Sequence, residues 1–182
     1  NKILDLFEDE GIGCVSGCPR SLESKKTILG YWSHMLCDSA HKLRGRRVGK
    51  GEFLECSGYF WAFRNNVISR FPVDVAEDSI IPAFFWLKGK RIGYSPESIV
   101  YVKYPKNFKD YLEQKKRTIK GHEKLGKYVG KKLPKMKTLK NEASGAFEVL
   151  KYSSNIKEFF YSLSAIPVRI YLWMLAYIQY FF

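Results

Sequence analysis

Apolar and polar positions change period several times along this chain, and each change marks an element. Ile3, Leu4, Leu6 and Phe7 recur at helical spacing and stop at Gly11, after which residues 12–16 read as a brief buried strand broken by Gly17 and Pro19. Between residues 22 and 43, Ile28, Leu29, Trp32, Met35 and Leu36 keep a helical interval, which predicts one long helix. The basic, glycine-containing residues 44–51 read as a mobile connection. Residues 53–64 are aromatic around Gly58 and predict a strand or strand pair ending in a turn at Asn65 and Asn66. Residues 80–87 predict a helix in which Pro82 is tolerable only near the first turn.

Residues 91–94 and 99–104 read as short strands separated by Ser95 and Pro96, and residues 108–128 return to helical spacing. This alternation predicts an α/β layer structure. After Pro134 the pattern becomes basic and irregular. Residues 147–163 form an amphipathic helical pattern, with Phe147, Leu150, Phe159, Phe160 and Leu163 set among Lys151, Lys157 and Glu158. The final apolar run, residues 168–182, reaches about 22 Å as a helix, short of the roughly 30 Å hydrocarbon core. It fits a truncated span, an interfacial helix or a buried core helix.

At 182 residues the chain suffices for one ordinary domain. It starts at Asn1 and stops inside an apolar run at Phe182, so both ends read as cut. With 13 Phe, 12 Tyr and 4 Trp, the composition argues for a packed protein and against disorder. A net charge of +13 calls for an acidic partner: nucleic acid, anionic lipid or a phosphate-bearing substrate. From Lys115 to Lys140 there are eleven Lys or Arg against one acidic residue, Glu123. A basic segment just ahead of an apolar terminus suits a cytoplasmic membrane surface; the plainer alternative is a solvated basic face.

Cys14, Cys18, Cys37 and Cys56 show no CxxC spacing and follow no secretory signal, which predicts free thiols in a reducing compartment. His34, His41 and His122 fall in no ligand-spaced motif, so no metal is assigned to them.

Three local patterns follow in order: Cys56-Ser57-Gly58-Tyr59-Phe60-Trp61-Ala62-Phe63-Arg64, then Ala76-Glu77-Asp78, then Gln114-Lys115-Lys116-Arg117-Thr118 followed by Gly121. Between the last two stand Lys88-Gly89-Lys90-Arg91-Ile92-Gly93-Tyr94 and Pro96-Glu97. Together they resemble the second half of the catalytic domain in processive family 2 glycosyltransferases, the group containing cellulose and hyaluronan synthases. There a Ser-Gly segment precedes a Glu-Asp pair and a Gln-x-x-Arg-Trp motif. The resemblance covers residues 3–124.

It implies the acceptor-side half of a GT-A type nucleotide-diphospho-sugar transferase fold over residues 1–128. A basic linker would follow at 129–146, then an amphipathic or transmembrane helical segment at 147–182. It also implies a membrane-associated inverting hexosyltransferase, with a nucleotide-sugar donor and a polysaccharide, glycolipid or polyprenyl acceptor. Membrane lipids would be partners at the cytoplasmic side of the cell membrane, and no nucleic acid would be involved. Family members bind the nucleotide with an N-terminal half whose Asp-x-Asp motif holds a divalent cation, Mg or Mn. This chain has no Asp-x-Asp, so that half is expected to be missing and the chain alone inactive.

The chemistry can be argued from the residues as well. Displacement at an anomeric carbon needs a carboxylate to take the acceptor hydroxyl's proton, and Asp78, with Glu77 beside it, is the candidate base. Apolar neighbours on both sides make a carboxylate more basic, whereas a helix starting just after it opposes that change. The alternative is that Glu77 and Asp78 merely cap a helix at Ser79. Gln114 and Arg117 share a helix face and suit a pyrophosphate or sugar oxygen, or else form part of a solvated face. Thr118 stands where the family has Trp, which removes an aromatic platform and weighs against processive synthesis. Ser57, Gly58 and Trp61 suit the acceptor sugar, Gly58 by permitting close approach of the backbone. Which side of the aromatic run packs and which contacts acceptor stays open. Arg64 suits a phosphate or a nearby carboxylate.

Two other classes compete. A basic nucleic-acid-binding module would explain the charge and the aromatic residues. A noncatalytic membrane partner would have kept the fold without the nucleotide half.

Overall fold

The computed structural model describes residues 2–130, 133 and 149–181. It is a mixed α/β protein with two compact units. One comprises Asn1–Arg20, Cys37–Val102 and Gly121–Pro134; the other comprises Ser21–Leu36, Lys103–Lys120 and Lys135–Phe182. Most of the basic stretch 129–146, and Phe147, lie outside the described residues.

The first unit opens with α1 (Lys2–Asp5) and a 3-10 turn (Leu6–Glu8) leading into β1 (Ile12–Ser21). With β2 (Trp61–Phe63) and β3 (Arg91–Val102), β1 forms a three-stranded mixed sheet in the order β2-β1-β3. β1 and β2 run antiparallel, with Cys14 opposite Phe63, Val15 opposite Ala62 and Ser16 opposite Trp61. Ile3, Ile12 and Val15 are buried together, with Leu6, Phe7, Phe60 and Ala62 packed against them.

β1 does not stop at Ser16 as expected but continues through Gly17 and Pro19. Gly17 is required there, because a Cβ would lie 2.7 Å from the Phe60 ring and 2.9 Å from the Ser98 carbonyl. Its N–H donates to Phe60 O at 2.9 Å. The nitrogen of Pro19 points to the same side two residues on, past the end of the short β2, so no ladder bond is lost. β3 is likewise one strand rather than two. Arg91 donates to Gly11 O on the β1 side, so by alternation Pro96 turns its missing N–H to the outer edge. Ser95 and Ser98 share a 2.7 Å hydrogen bond around it.

The helix α2 spans Ile28–Gly49, starting later than expected and running through the basic stretch read as a loop. Thr27 caps it: its Oγ1 accepts the Gly30 N–H at 3.2 Å. The stretch stays helical partly because Arg47 Nη1 donates to Phe53 O at 2.9 Å. α3 spans Glu77–Leu87, α4 Phe108–Glu123 and α5 Leu125–Val129.

In the second unit the start of α2, most of α4, a helical turn at 149–151 and α6 (Ile156–Phe181) form an aromatic core. Tyr31, Trp32, Met35, Tyr111, Ala165 and Leu172 are buried together. Tyr31 Oη and Ser162 Oγ share a 2.7 Å hydrogen bond, and Trp32 Nε1 donates to Tyr161 O at 2.6 Å. These bonds satisfy the polar ends of large apolar side chains, each worth ~1.5–3 kcal/mol when buried. The later part of the amphipathic pattern, from Ile156, and the final apolar run as far as Phe181 thus belong to one helix with one face in the core, whereas residues 149–151 form a separate turn. Among the described residues, no helix is long and apolar enough to cross a membrane.

Candidate functional site

β1 builds the floor of the site. Its alternation turns Cys14, Ser16, Cys18 and Arg20 to one side, and each meets a polar partner within the first unit. The Cys14 thiol faces that of Cys56, and burial first, then Cys14, pushes the Cys56 thiol well above its usual range. Ser16 Oγ accepts the Ser57 N–H at 3.0 Å. Cys18 Sγ lies 3.9 Å from His41 Nδ1, and Arg20 pairs with Asp38. Burial raises the Tyr94 hydroxyl and lowers His41, and the His41 Nδ1 and Tyr94 Oη share a 2.7 Å hydrogen bond. All four cysteines are buried free thiols.

Ser16 thereby fixes the Ser-Gly segment, and that segment holds Asp78. Cys56 N–H donates to Asp78 O at 2.9 Å, and Gly58 N–H donates to Asp78 Oδ2 at 3.1 Å. A Cβ on residue 58 would sit 3.1 Å from that same oxygen, which is why the close approach needs glycine. Ser57 is buried and acts through its main chain, its O accepting the Phe60 N–H at 3.2 Å.

α3 begins at Glu77, three residues earlier than expected, with Ala76 at its N-cap and no side-chain cap. Glu77 and Asp78 therefore stand in the first turn, and neither carboxylate serves as the capping residue. Asp78 is half-buried and Glu77 exposed. The helix N-terminus and the Gly58 amide both suit a negative charge at this point. Pro82 falls in the second turn instead of the first. The end of α4 closes on the same place: Ala76 N–H donates to Gly121 O at 3.2 Å, and a Cβ on Gly121 would meet Ala76 Cβ at 3.3 Å.

The aromatic run sorts by alternation. Phe60 and Ala62 pack into the Ile3, Ile12 and Val15 cluster, while Trp61 and Phe63 share the opposite side, their rings stacked at 5.2 Å. Tyr59 is 46% exposed and Trp61 half-buried, so Tyr59 and Trp61 are the aromatic surface beside Gly58. Arg64 is held by main-chain carbonyls. Its Nε donates to Ile12 O at 2.7 Å, and Nη2 donates to Phe7 O at 2.6 Å and Asp9 O at 3.0 Å.

Gln114 and Arg117 belong to the second unit, and the residues that meet at Asp78 belong to the first. Gln114 is half-buried, and its Oε1 is buried without a hydrogen-bond partner among the described residues, whereas Arg117 is exposed. Thr118 Oγ1 turns back onto its own helix, donating to Gln114 O at 3.0 Å.

Sequence reasoning missed Ser16, Pro82 and the Cys18, His41 and Tyr94 group. The signal for Ser16 was the alternation Cys14, Ser16, Cys18, Arg20, legible only once the strand is carried past Gly17. Among the described residues, no three His, Cys, Asp or Glu side chains converge to hold a metal ion. The described residues by themselves thus form no divalent-cation site. No protein-family model and no curated protein matches the chain.

Proposed function

We propose that this chain is the acceptor-side half of a GT-A type, inverting family 2 glycosyltransferase at the cytoplasmic side of the cell membrane. It would move a sugar from a nucleotide-sugar donor to a polysaccharide, glycolipid or polyprenyl acceptor. The observation that carries this reading is the double hydrogen bond from the Cys56–Gly58 main chain to Asp78. Two segments twenty residues apart meet at one half-buried carboxylate, and Tyr59 and Trp61 follow Gly58 in the chain.

In this reading the acceptor oxygen bonds to the anomeric carbon as the bond to the diphosphate oxygen breaks. The bonding pair leaves with the diphosphate, and the acceptor proton passes to Asp78. The Gly58 amide keeps the carboxylate oriented, which lowers the reorganisation needed at the moment of transfer. Glu77 is the alternative base. Gln114 and Arg117 would hold diphosphate or sugar oxygens, and the unpartnered Gln114 Oε1 suits a sugar hydroxyl donor. Arg64 is assigned to holding the N-terminal segment and not to substrate. The nucleotide and its divalent cation would be bound by a separate nucleotide-binding half.

The test is to co-express the chain with the coding sequence that flanks it, supply a panel of nucleotide-sugars with Mg or Mn, and follow nucleoside diphosphate release. Release that needs the chain and is lost in Asp78→Asn supports the reading. Release that persists in Asp78→Asn, or none with any donor when an Asp-x-Asp half is present, removes it.

A further inference from the structure

The Ser-Gly segment holds Asp78 itself, and the residues that lead into Asp78 are held separately, by the end of α4 and by α5. Leu125 and Val129, one turn apart, bury one face of α5, which packs against α3. Lys124 and Tyr128 are thereby carried to the entry of α3. Tyr128 Oη donates to Asp74 Oδ1, Lys124 Nζ lies 3.4 Å from Asp74 Oδ2, and Gly121 O accepts the Ala76 N–H at 3.2 Å. Both oxygens of the Asp74 carboxylate are engaged, and all of these residues belong to the first unit.

Asp74, Glu77 and Asp78 are three carboxylates within five residues at the entry of one helix, and like charges so close repel. Lys124 offsets part of that charge. The Tyr128 hydrogen bond holds the Asp74 carboxyl below its usual range, with desolvation opposing this and Lys124 adding to it. A contact this exposed adds little to the stability of a fold, Tyr128 being 41% exposed, so its consequence is local. Val75 is buried and Ala76 is bonded to Gly121, which leaves little slack between Asp74 and Asp78.

We propose that Asp74 is a positioning residue: Tyr128 and Lys124 fix it, and through residues 75–77 it sets the Asp78 carboxylate against the Gly58 N–H. Its effect on turnover rests on the transferase reading above, whereas its hold on Asp78 does not. A reacting group displaced by about 1 Å can lose ~10²-fold in rate, so Asp74 governs turnover without touching substrate.

The test follows hydrogen exchange at the Gly58 amide in the full chain, with the Val15 amide as reference. Tyr128→Phe removes one hydroxyl at an exposed position and should quicken Gly58 exchange about threefold, Asp74→Ala about fivefold or more, with urea midpoints unchanged. Asp74→Asn keeps an acceptor for Tyr128 and should fall between Asp74→Ala and the parent. In an Asp78→Ala background the carboxylate is gone, and adding Tyr128→Phe should change nothing further. A contact that merely stabilised the fold would quicken exchange equally in both backgrounds. That result, or unchanged Gly58 exchange in Asp74→Ala, would overturn the proposal. In the reconstituted transferase Asp74→Ala should lower turnover about tenfold with donor affinity unchanged. Full turnover in Asp74→Ala, where Asp78→Asn has lost it, would overturn the effect on rate. If Asp78→Asn keeps full turnover while the exchange results hold, the transferase reading falls and the positioning of Asp78 by Asp74 stands.

Discussion

Cys56 donates its main-chain N–H to the carbonyl of Asp78 at 2.9 Å, and that carbonyl lacks its intrahelical donor because Pro82, four residues on, has no N–H. A residue that would ordinarily break a helix here leaves an acceptor at the first turn, and the Ser-Gly segment takes it. Pro82→Ala restores a competing donor within α3. Hydrogen exchange at the Cys56 amide should quicken about fivefold relative to the Val15 amide, as for losing ~1 kcal/mol of hydrogen bond. Unchanged exchange would show that the helix does not compete for this carbonyl.

Ser16 is fully buried, and its hydroxyl satisfies the Ser57 N–H. Ser16→Ala leaves that donor without a partner and should cost ~1–3 kcal/mol in urea unfolding. A loss below ~0.5 kcal/mol would mean that the loop finds another acceptor and that Ser16 does not set its position.

Two glycines should respond in opposite directions to alanine. A Cβ on Gly13 would lie 2.3 Å from Cδ1 of the buried Phe85 ring, so Gly13→Ala should destabilise by ~1–3 kcal/mol through overpacking. Gly45 is exposed inside α2 and a Cβ there meets nothing within 4 Å, so Gly45→Ala should stabilise by ~0.5–1 kcal/mol. Thermal melts of the two variants decide both signs.

Stability should fall on the acid side of neutrality. Burial, then Arg20, holds His41 below its ordinary 6.5, with Arg44 and Lys42 adding to this and Asp38 opposing it. The unfolded chain therefore takes up the proton first as pH drops. The contribution is complete above about 6.5 and is lost as pH falls from there through the lower folded value. His41→Gln should flatten this part of the pH profile of urea midpoints. A profile as steep as that of the parent would place the acid sensitivity elsewhere.

If Asp78 is the base, Asp78→Asn in the reconstituted transferase should lower turnover by ~10²-fold or more with donor affinity nearly unchanged. Gly58→Ala should also lower turnover, because its Cβ crowds the Asp78 carboxylate at 3.1 Å. Arg117→Ala should weaken donor affinity as well as rate. Donor affinity is measured apart from turnover by equilibrium binding. Near-normal turnover in Asp78→Asn would turn attention to Glu77.

Local pattern determined a good deal by itself. The α/β alternation, the helix carrying Gln114 and Arg117, and the order of the Ser-Gly, Glu-Asp and Gln-x-x-Arg segments all follow from spacing within a few residues, because periodicity and motifs are local properties. The ends of β1, β3 and α3 do not follow from it. Gly17, Pro19, Pro96 and Pro82 each look like breaks in one dimension, yet each stands where a neighbour supplies what is missing or where no partner needs it. β2 ends before Pro19, Pro96 faces an open edge, and Cys56 takes the carbonyl that Pro82 leaves. Whether a missing N–H breaks an element depends on what lies across from it, and that is settled only when distant segments pack. The same holds for Arg64, whose charge suggested a phosphate or a carboxylate and whose Nε and Nη2 donate to three main-chain carbonyls supplied by distant residues. It holds too for α6, where one run of apolar residues divides into a core face and an outward stripe only because Tyr31 and Trp32 claim one side.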